Sequence, residues 1–218
     1  MSANRSHGRF IVFEGGEGTG KSTQARHLAD RLDALLTREP GGTPTGSALR
    51  AILLDPTTGN LDARAEALLM AADRADHVAT VIRPALESGT DVVCDRYAGS
   101  SIAYQGYGRG LDPGEVRQLS GWASGGLWPD LVVLLRVDAA TAAARLNDRS
   151  LAGWSPSEEQ LDRFEREDGG FHERVAAGFE ELAAAEPDRW VVVDGGGTID
   201  EVAGRVAAAV ESRLGEMT

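Results

Sequence analysis

Short apolar runs alternate with longer amphipathic segments along most of the chain. Five runs are rich in β-branched or bulky apolar residues and have the length of buried strands. They span residues 10–13, 35–38, 91–94, 131–137 and 190–193. Because the segments between them carry apolar residues at helical spacing, the pattern predicts an α/β fold, with a five-stranded parallel sheet and helices on both faces.

Several helices can be located from the same pattern. Residues 22–32 and 64–86 have apolar positions three and four apart, which predicts a helix after the first strand and a long helix before the third. Asp112 and Thr198 each precede a glutamate by three residues, as N-cap residues do. Residues 150–160 lack a sustained period and are predicted to be a flexible excursion between helices.

Composition narrows the class of protein. A chain of 218 residues without internal repeats or a dividing linker is expected to form one domain, residues 1–218. Its net charge of −12 argues against DNA or RNA as a partner. One cysteine, Cys94, excludes intramolecular disulfides and fits a reducing compartment. No apolar stretch approaches the roughly 20 residues of a membrane span, so we expect a soluble, cytoplasmic protein without a membrane partner.

Lys21 is the only lysine, and it belongs to a G-x-x-x-x-G-K-[ST] motif between the first strand and the first helix. In such loops backbone N–H groups and the helix N-terminus hold phosphate oxygens, the lysine reaches the β- and γ-phosphates, and the hydroxyl that follows can bind Mg²⁺. A bound nucleotide is therefore predicted at the motif, whose residues are Gly15, Gly16, Glu17, Gly18, Thr19, Gly20, Lys21 and Ser22, followed by Thr23.

More charged residues follow the second and third strands. Asp95 and Arg96 come directly after the third strand, where ligands of open α/β sheets bind. Asp95 can bind Mg²⁺ and Arg96 can hold a phosphate, although a strand-end ion pair is the alternative. Arg38 follows the second strand in the turn R-E-P-G-G-T, where a solvated surface arginine is equally consistent. Cations converging on one edge indicate transfer between two nucleotides.

Polar and aromatic residues crowd the segment 100–110, S-S-I-A-Y-Q-G-Y-G-R-G. Hydroxyl and amide groups of this kind can read the edge of a base or exclude a hydroxyl from a sugar. Taken alone, the segment is also compatible with a polar loop whose tyrosines pack on the core.

These motifs together resemble those of bacterial thymidylate kinases, the dTMP kinases of the P-loop nucleoside monophosphate kinase family. The resemblance rests on F-E-G-G-E-G-T-G-K-S-T, R-E-P-G-G-T, A-A-D-R, D-R-Y with S-S and A-Y-Q-G, and D-R-F-E, in that order. It covers nearly the whole chain from Phe10 onward. R-E-P-G-G-T followed by D-R-Y-x-x-S-S-x-A-Y-Q-G is far more specific than the loop alone.

The resemblance implies a P-loop kinase fold with a mobile lid at about residues 146–163. It also implies phosphorylation of dTMP to dTDP by ATP with Mg²⁺, a step of dTTP synthesis. The dTMP site would comprise Glu17, Arg38, Met70, Arg74, Arg96, Ser100, Ser101, Tyr104 and Gln105. The loop residues 15–23 with Arg145 and Arg149 would bind ATP, Ser22 and Asp95 would bind the metal, and Lys21, Arg96 and Arg149 would act in catalysis.

Two departures from the family pattern affect this expectation. Met70 stands where the family usually has a phenylalanine that stacks on the base; a thioether still makes a favourable contact with a ring, worth roughly 0.3–1.5 kcal/mol. The lid is longer and more acidic than usual, with Glu158, Glu159 and Asp162. Arg163 and Arg166 therefore compete with Arg149 as the lid arginine that contacts the transferred phosphate.

Other functions remain as alternatives. A kinase of the same class could use another acceptor, such as dCMP or shikimate, and a catalytically inactive subunit would only bind ATP. A GTP-dependent switch in its usual form needs an N-K-x-D motif, which a chain with a single lysine at position 21 does not have. Family resemblance also suggests a homodimer formed through the long helices, although an apolar helix face is more often part of the core.

Overall fold

The computed structural model describes residues 7–151 and 162–215, with side chains described at 7–146 and 162–215. At its centre lies a five-stranded sheet with the strand order β2-β3-β1-β4-β5. The strands are β1 Phe10–Glu14, β2 Leu35–Arg38, β3 Val92–Asp95, β4 Leu131–Arg136 and β5 Trp190–Asp194. Every pairing between neighbours is parallel, so the predicted α/β fold with a five-stranded parallel sheet is confirmed.

The central strand β1 explains why the strands read as continuous apolar runs. It lies between β3 and β4, and all of its residues are buried. Ile11 and Phe13 face one hydrophobic core, while Phe10 and Val12 face a second core on the opposite side of the sheet. Because helices cover both faces of the sheet, the residues of β1 that point to either face, from Phe10 to Phe13, are all apolar.

Nine α-helices surround the sheet within the described residues. They are α1 Lys21–Leu32, α2 Pro44–Leu54, α3 Ala63–His77, α4 Arg83–Glu87, α5 Ala98–Ser101, α6 Pro113–Ala123, α7 Ala139–Leu151, α8 Gly169–Ala185 and α9 Ile199–Leu214. Helices α1 and α9 supply Leu28 and Val206 to the core that contains Ile11. Helix α8 supplies Phe171 to the core that contains Phe10.

The predicted long helix at 64–86 is present but interrupted. Between α3 and α4 the chain makes a π-helical turn, Val78–Ile82, in which the N–H of Arg83 donates to the carbonyl of Val78. Pro84 provides the physical reason, because it has no N–H to donate and its ring would collide with the carbonyl of Thr80 in a regular helix. A second π-helical turn, Ile102–Gly108, follows α5.

Both predicted helix caps are formed. The Asp112 side chain accepts a hydrogen bond from the N–H of Glu115 at the start of α6, at 2.9 Å. Thr198 and Glu201 form a reciprocal capping box at the start of α9. Among the described helices, none combines the length and apolar character needed to cross a membrane.

Parallel strands bring their carboxyl ends to the same edge of the sheet. β1 ends at Glu14, β2 at Arg38 and β3 at Asp95, and Phe13 and Arg38 each lie in register with Asp95. This edge therefore collects the charged residues that the sequence places after the strands. Residues 152–161 of the predicted lid lie outside the described residues.

Candidate active site at the carboxyl edge of the sheet

The loop between β1 and α1 has a backbone that only glycine adopts easily. Gly15, Gly18 and Gly20 have φ values of 142°, 72° and 91°. A Cβ atom at Gly15 would lie 2.5 Å from the carbonyl oxygen of Leu135. Gly20 precedes α1 without a side-chain cap, so the first N–H groups of α1 remain available to an anion.

Lys21 is buried beneath this loop. Its ammonium group donates to the carbonyl oxygen of Gly16 at 2.6 Å and lies 3.5 Å from the Thr19 hydroxyl. Burial, assisted by the nearby Arg96 cation, lowers the pKa of Lys21 to about 8. A buried ammonium group that has few hydrogen-bond partners within the protein gains strongly from binding a phosphate oxygen.

Ser22 and Asp95 meet at the start of α1 and the end of β3. The Ser22 hydroxyl donates to Oδ2 of Asp95 at 2.5 Å, and Oδ1 of Asp95 is buried without a hydrogen-bond partner. A hydroxyl beside an unsatisfied carboxylate oxygen is a suitable donor set for Mg²⁺, which prefers oxygen ligands and completes its shell with phosphates and water. Among the described residues no cluster of three or more His, Cys, Asp or Glu side chains could hold a metal without such outside ligands.

Arg96 connects the loop to the segment after β3. Its Nη1 donates to the carbonyl oxygen of Gly15 and to the Ser100 hydroxyl, both at 3.0 Å, and its Nη2 donates to Glu17. The guanidinium also lies over the Tyr104 ring, 5.1 Å from its centroid. Burial alone would lower the pKa of Arg96, but the neighbouring anions, led by Glu17, raise it above its ordinary value.

Glu14, which the sequence analysis did not single out, lies directly behind Arg96. Its carboxyl group is fully buried and accepts hydrogen bonds from the N–H groups of Tyr97 and Ser100 and from the Ser100 hydroxyl. Burial raises the pKa of Glu14 to about 7, against the opposing effect of these hydrogen bonds. A charged residue at the end of an otherwise apolar strand was the available sequence signal.

A second arginine lies beside Arg38. Arg38 is exposed at the end of β2, and Arg50 of α2 donates to the carbonyl oxygen of Pro40 at 2.9 Å. Burial, followed by repulsion from Arg38, lowers the pKa of Arg50. Mutual repulsion between arginines at this edge makes it a favourable place for an anion. The sequence analysis missed Arg50, because helical periodicity alone does not show which end of a helix faces the sheet edge.

Arg74 forms the centre of a buried polar network. Its guanidinium donates to Glu39 at 2.9 Å, to the Ser101 hydroxyl at 3.0 Å and to the Ser120 hydroxyl at 3.1 Å. Glu39 also contacts a ring nitrogen of His77 at 3.0 Å. Arg74 and Ser101, both expected at a base, therefore lie together, while Glu39 and Ser120 are partners that the sequence did not reveal.

Tyr104 and Gln105 lie in the π-helical turn after α5. The Tyr104 hydroxyl donates to Glu17 at 3.0 Å, which places it beside the phosphate loop. Gln105 is fully buried, and its amide donates to Glu66 at 2.8 Å. Met70 is half-buried and packs against the core that contains Tyr104.

The arginines predicted beside and within the lid differ in their surroundings. Arg145 of α7 donates to the carbonyl oxygens of Thr19 and Gly195, at 3.3 and 2.9 Å, and so joins the phosphate loop to the segment after β5. Arg163 is buried, donates to the carbonyl of Leu53 and pairs with Glu66. The side chain of Arg149 lies outside the described residues.

Comparisons with known proteins agree on one family. The thymidylate kinase family model matches residues 13–206. The thymidylate kinase of Syntrophotalea carbinolica is 49% identical over 210 residues, covering 94% of this chain and 96% of its own. That of Leifsonia xyli subsp. xyli is 50% identical over 212 residues, covering 95% and 96%. A crystal structure of thymidylate kinase from Ehrlichia chaffeensis has a TM-score of 0.74 and 30% identity, with 94% of this chain and 99% of that chain covered.

The buried carboxyl of Glu14 predicts a pH-dependent stability. The pKa of Glu14 is about 7 in the folded protein against an ordinary value of 4.5. Its contribution to the free energy of unfolding is therefore fully present below pH 4.5, where both states hold the proton, and is lost as the pH rises through 7. Relative to Glu14→Gln, the free energy of unfolding of the wild type is expected to fall by roughly 3 kcal/mol over this interval. Urea denaturation of both proteins between these pH values measures it, and a pH-independent difference would contradict the assignment.

Proposed function

The chain belongs to the thymidylate kinase family, and we propose that it transfers the γ-phosphoryl group of ATP to dTMP, producing dTDP for dTTP synthesis. It is a phosphotransferase with a phosphate group as acceptor. The observation that best supports this activity is the position of Arg96. This one guanidinium hydrogen-bonds to the phosphate loop through Gly15 and to Ser100 in the segment that borders the acceptor pocket.

The donor side is assigned to the loop and to α7. The backbone of residues 15–20, the N-terminus of α1 and the Lys21 ammonium hold the phosphates of ATP. Arg145, which hydrogen-bonds to Thr19 of the loop and to Gly195, is assigned to the adenine. The whole ATP site then comprises residues 15–23 with Arg145 and Arg149.

Mg²⁺ is proposed as the metal, with Ser22 and Asp95 as its protein partners. The buried, unpartnered Oδ1 of Asp95 supports this assignment, since a buried anionic oxygen without a donor is costly. Held by these two residues, Mg²⁺ would supply positive charge that neutralises the phosphates of ATP. The hydrogen bond between Ser22 and Asp95 keeps the two proposed metal ligands next to each other.

The acceptor side is assigned to the charged edge and to the pocket around Arg74. Arg38, Arg50 and Arg96 surround the phosphate of dTMP, and the lowered pKa of Arg50 supports an anion at this place. Arg74 and Ser101 hydrogen-bond to the thymine edge. The remaining contacts are assigned to Glu17 at the sugar 3′-hydroxyl, Tyr104 at the 2′ position, and Met70, Ser100 and Gln105 in the pocket wall.

The reaction then needs no general base. A phosphate monoester has its second pKa near 6, so the acceptor oxygen is already ionised at neutral pH. Lys21 and Arg96 neutralise charge on the transferred group and hold the two substrates in line, which is the main contribution proteins make to phosphoryl transfer.

An acceptor panel tests this function directly. ADP release is measured with ATP and Mg²⁺ over dTMP, dCMP, AMP and the ribose analogue of dTMP. We expect dTMP to be the best acceptor and the ribose analogue to be poor, because Tyr104 occupies the space of a 2′-hydroxyl. Lys21→Ala is expected to abolish turnover and leave the circular dichroism spectrum unchanged. Faster turnover of dCMP or AMP than of dTMP would refute the assignment.

The segment 146–163 is proposed as the lid of a single kinase domain, with Arg149 as its catalytic arginine. Arg163 is a weaker candidate, because its guanidinium is buried against Glu66 and the carbonyl of Leu53. An arginine at the transferred phosphate contributes roughly 10³ to 10⁵ in kcat. We expect Arg149→Ala to lower kcat far more than it weakens ATP binding.

Steady-state kinetics of Arg149→Ala, Arg163→Ala and Arg166→Ala decide among the three positions. A larger loss of kcat in Arg163→Ala or Arg166→Ala than in Arg149→Ala would place the catalytic arginine on the far side of the lid. Thermal unfolding of Arg163→Ala serves as the control, because removing Arg163 leaves the buried carboxyl of Glu66 with one charged partner fewer.

A cytoplasmic homodimer is proposed as the functional form. Large apolar side chains are exposed on three neighbouring helices: Ile52 on α2, Leu68 on α3 and Trp122 on α6, the last 81% exposed. Trp122→Glu is expected to shift the protein to a monomer in sedimentation velocity. Ile199→Glu, at an exposed apolar position on α9, is the matched control and should leave the dimer intact; a monomeric wild type would refute the proposal.

A further inference from the structure

Glu14 ends β1 immediately before the phosphate loop and makes three hydrogen bonds to one short segment. Its Oε1 accepts from the N–H of Tyr97 at 3.1 Å and from the N–H of Ser100 at 2.9 Å, and its Oε2 accepts from the Ser100 hydroxyl at 2.6 Å. The side chain is 0% exposed. All three donors follow Arg96 within four residues, so one carboxyl group fixes the whole turn after β3.

This turn has a backbone that needs support. Arg96 has a φ of 69°, in the left-handed region that residues other than glycine rarely adopt. Such a conformation persists only where surrounding contacts hold it. Glu14 supplies one of these contacts at the very next peptide, through the N–H of Tyr97.

The connection continues to the guanidinium of Arg96. The Ser100 oxygen that donates to Glu14 also accepts from Nη1 of Arg96 at 3.0 Å. The chain of contacts therefore runs from a buried carboxyl, through one hydroxyl, to the cation assigned to the acceptor phosphate. A protonated Glu14 can instead donate to the Ser100 oxygen, so Ser100 keeps a hydrogen bond to Glu14 in either protonation state.

The space around Glu14 is closely shaped to it. A Cβ atom at Gly99 would lie 2.8 Å from Oε1 of Glu14 and 2.9 Å from the Trp190 ring. The absence of a side chain at position 99 allows the carboxyl to approach the backbone of α5 this closely.

We propose that Glu14 is a positioning residue for the acceptor phosphate: it holds Ser100, and through Ser100 the Arg96 guanidinium, where the phosphate of dTMP binds. The inference rests on the proposed function. Glu14 touches neither substrate and acts only through Ser100 and Arg96.

A double-mutant cycle tests the connection. Glu14→Met keeps the length of the side chain and removes both oxygens that accept from the 97–100 segment, and Ser100→Ala removes the intermediate. Each variant is expected to raise the KM for dTMP by about ten-fold to a hundred-fold with little change in the KM for ATP, as for the loss of a hydrogen bond to a charged group. Because both changes break the same connection, the KM for dTMP of the double variant is expected to match that of the more impaired single variant.

Asp91→Asn is the matched control. Asp91 is a mostly buried carboxyl at the opposite edge of the sheet, where it pairs with Arg9. This control is expected to lower the unfolding temperature without changing the KM for dTMP. Should Glu14→Met not fold, Glu14→Asp keeps a carboxyl group at this position but withdraws it from Ser100, and the same rise in the KM for dTMP is expected.

Two results would overturn the role of Glu14. One is an unchanged KM for dTMP in a folded Glu14 variant, and the other is a double variant whose effect is the product of the two single effects. A wild-type protein that does not phosphorylate dTMP would instead refute the proposed function itself. The wild-type rate therefore separates the two failures.

Discussion

The hydrogen bonds of Arg96 tie together the parts of the site that come from separate regions of the chain. Its backbone N–H donates to the carbonyl of Phe13 in β1, and its guanidinium contacts Gly15, Glu17, Ser100 and Tyr104. The phosphate loop, the turn after β3 and the π-helical turn are thereby held in one arrangement. A guanidinium presents five donors in a rigid plane, so a lysine could not replace it here.

Buried carboxyl groups bond to the arginines of the site, either directly or through a serine hydroxyl. Glu14 supports Ser100 and Arg96, and Glu39 supports Arg74. Glu66, which is 0% exposed, pairs with Arg109 and Arg163. Burying these charges is costly, and a buried pair often adds little net stability. We interpret them as fixing the directions of arginine side chains, whose long and flexible stems would otherwise adopt many conformations.

The pocket around Arg74 has no aromatic ring at position 70. Met70 is half-buried against the core, and Arg74 itself lies over the Tyr97 ring, 5.1 Å from the centroid. In the dTMP complex that we propose, the base would contact a thioether, which is more adaptable than a ring and orients a ligand less strictly. In that proposed complex, hydrogen bonds to Arg74 and Ser101 would carry more of the recognition of thymine.

Local periodicity and motifs of adjacent residues were sufficient to predict the strands, the phosphate loop, the helices on either side of β2 at 22–32 and 64–86, and the helix starts at Asp112 and Thr198. The sequence also placed Arg38, Asp95 and Arg96 at one edge, since the ends of parallel strands meet there. The partners of the site residues follow from tertiary packing: Glu14 bonds to Ser100, Glu39 bonds to Arg74, and Arg50 lies beside Arg38. These contacts join residues 12 to 86 positions apart, and the direction of a side chain across such a separation is set by packing, which no local pattern records.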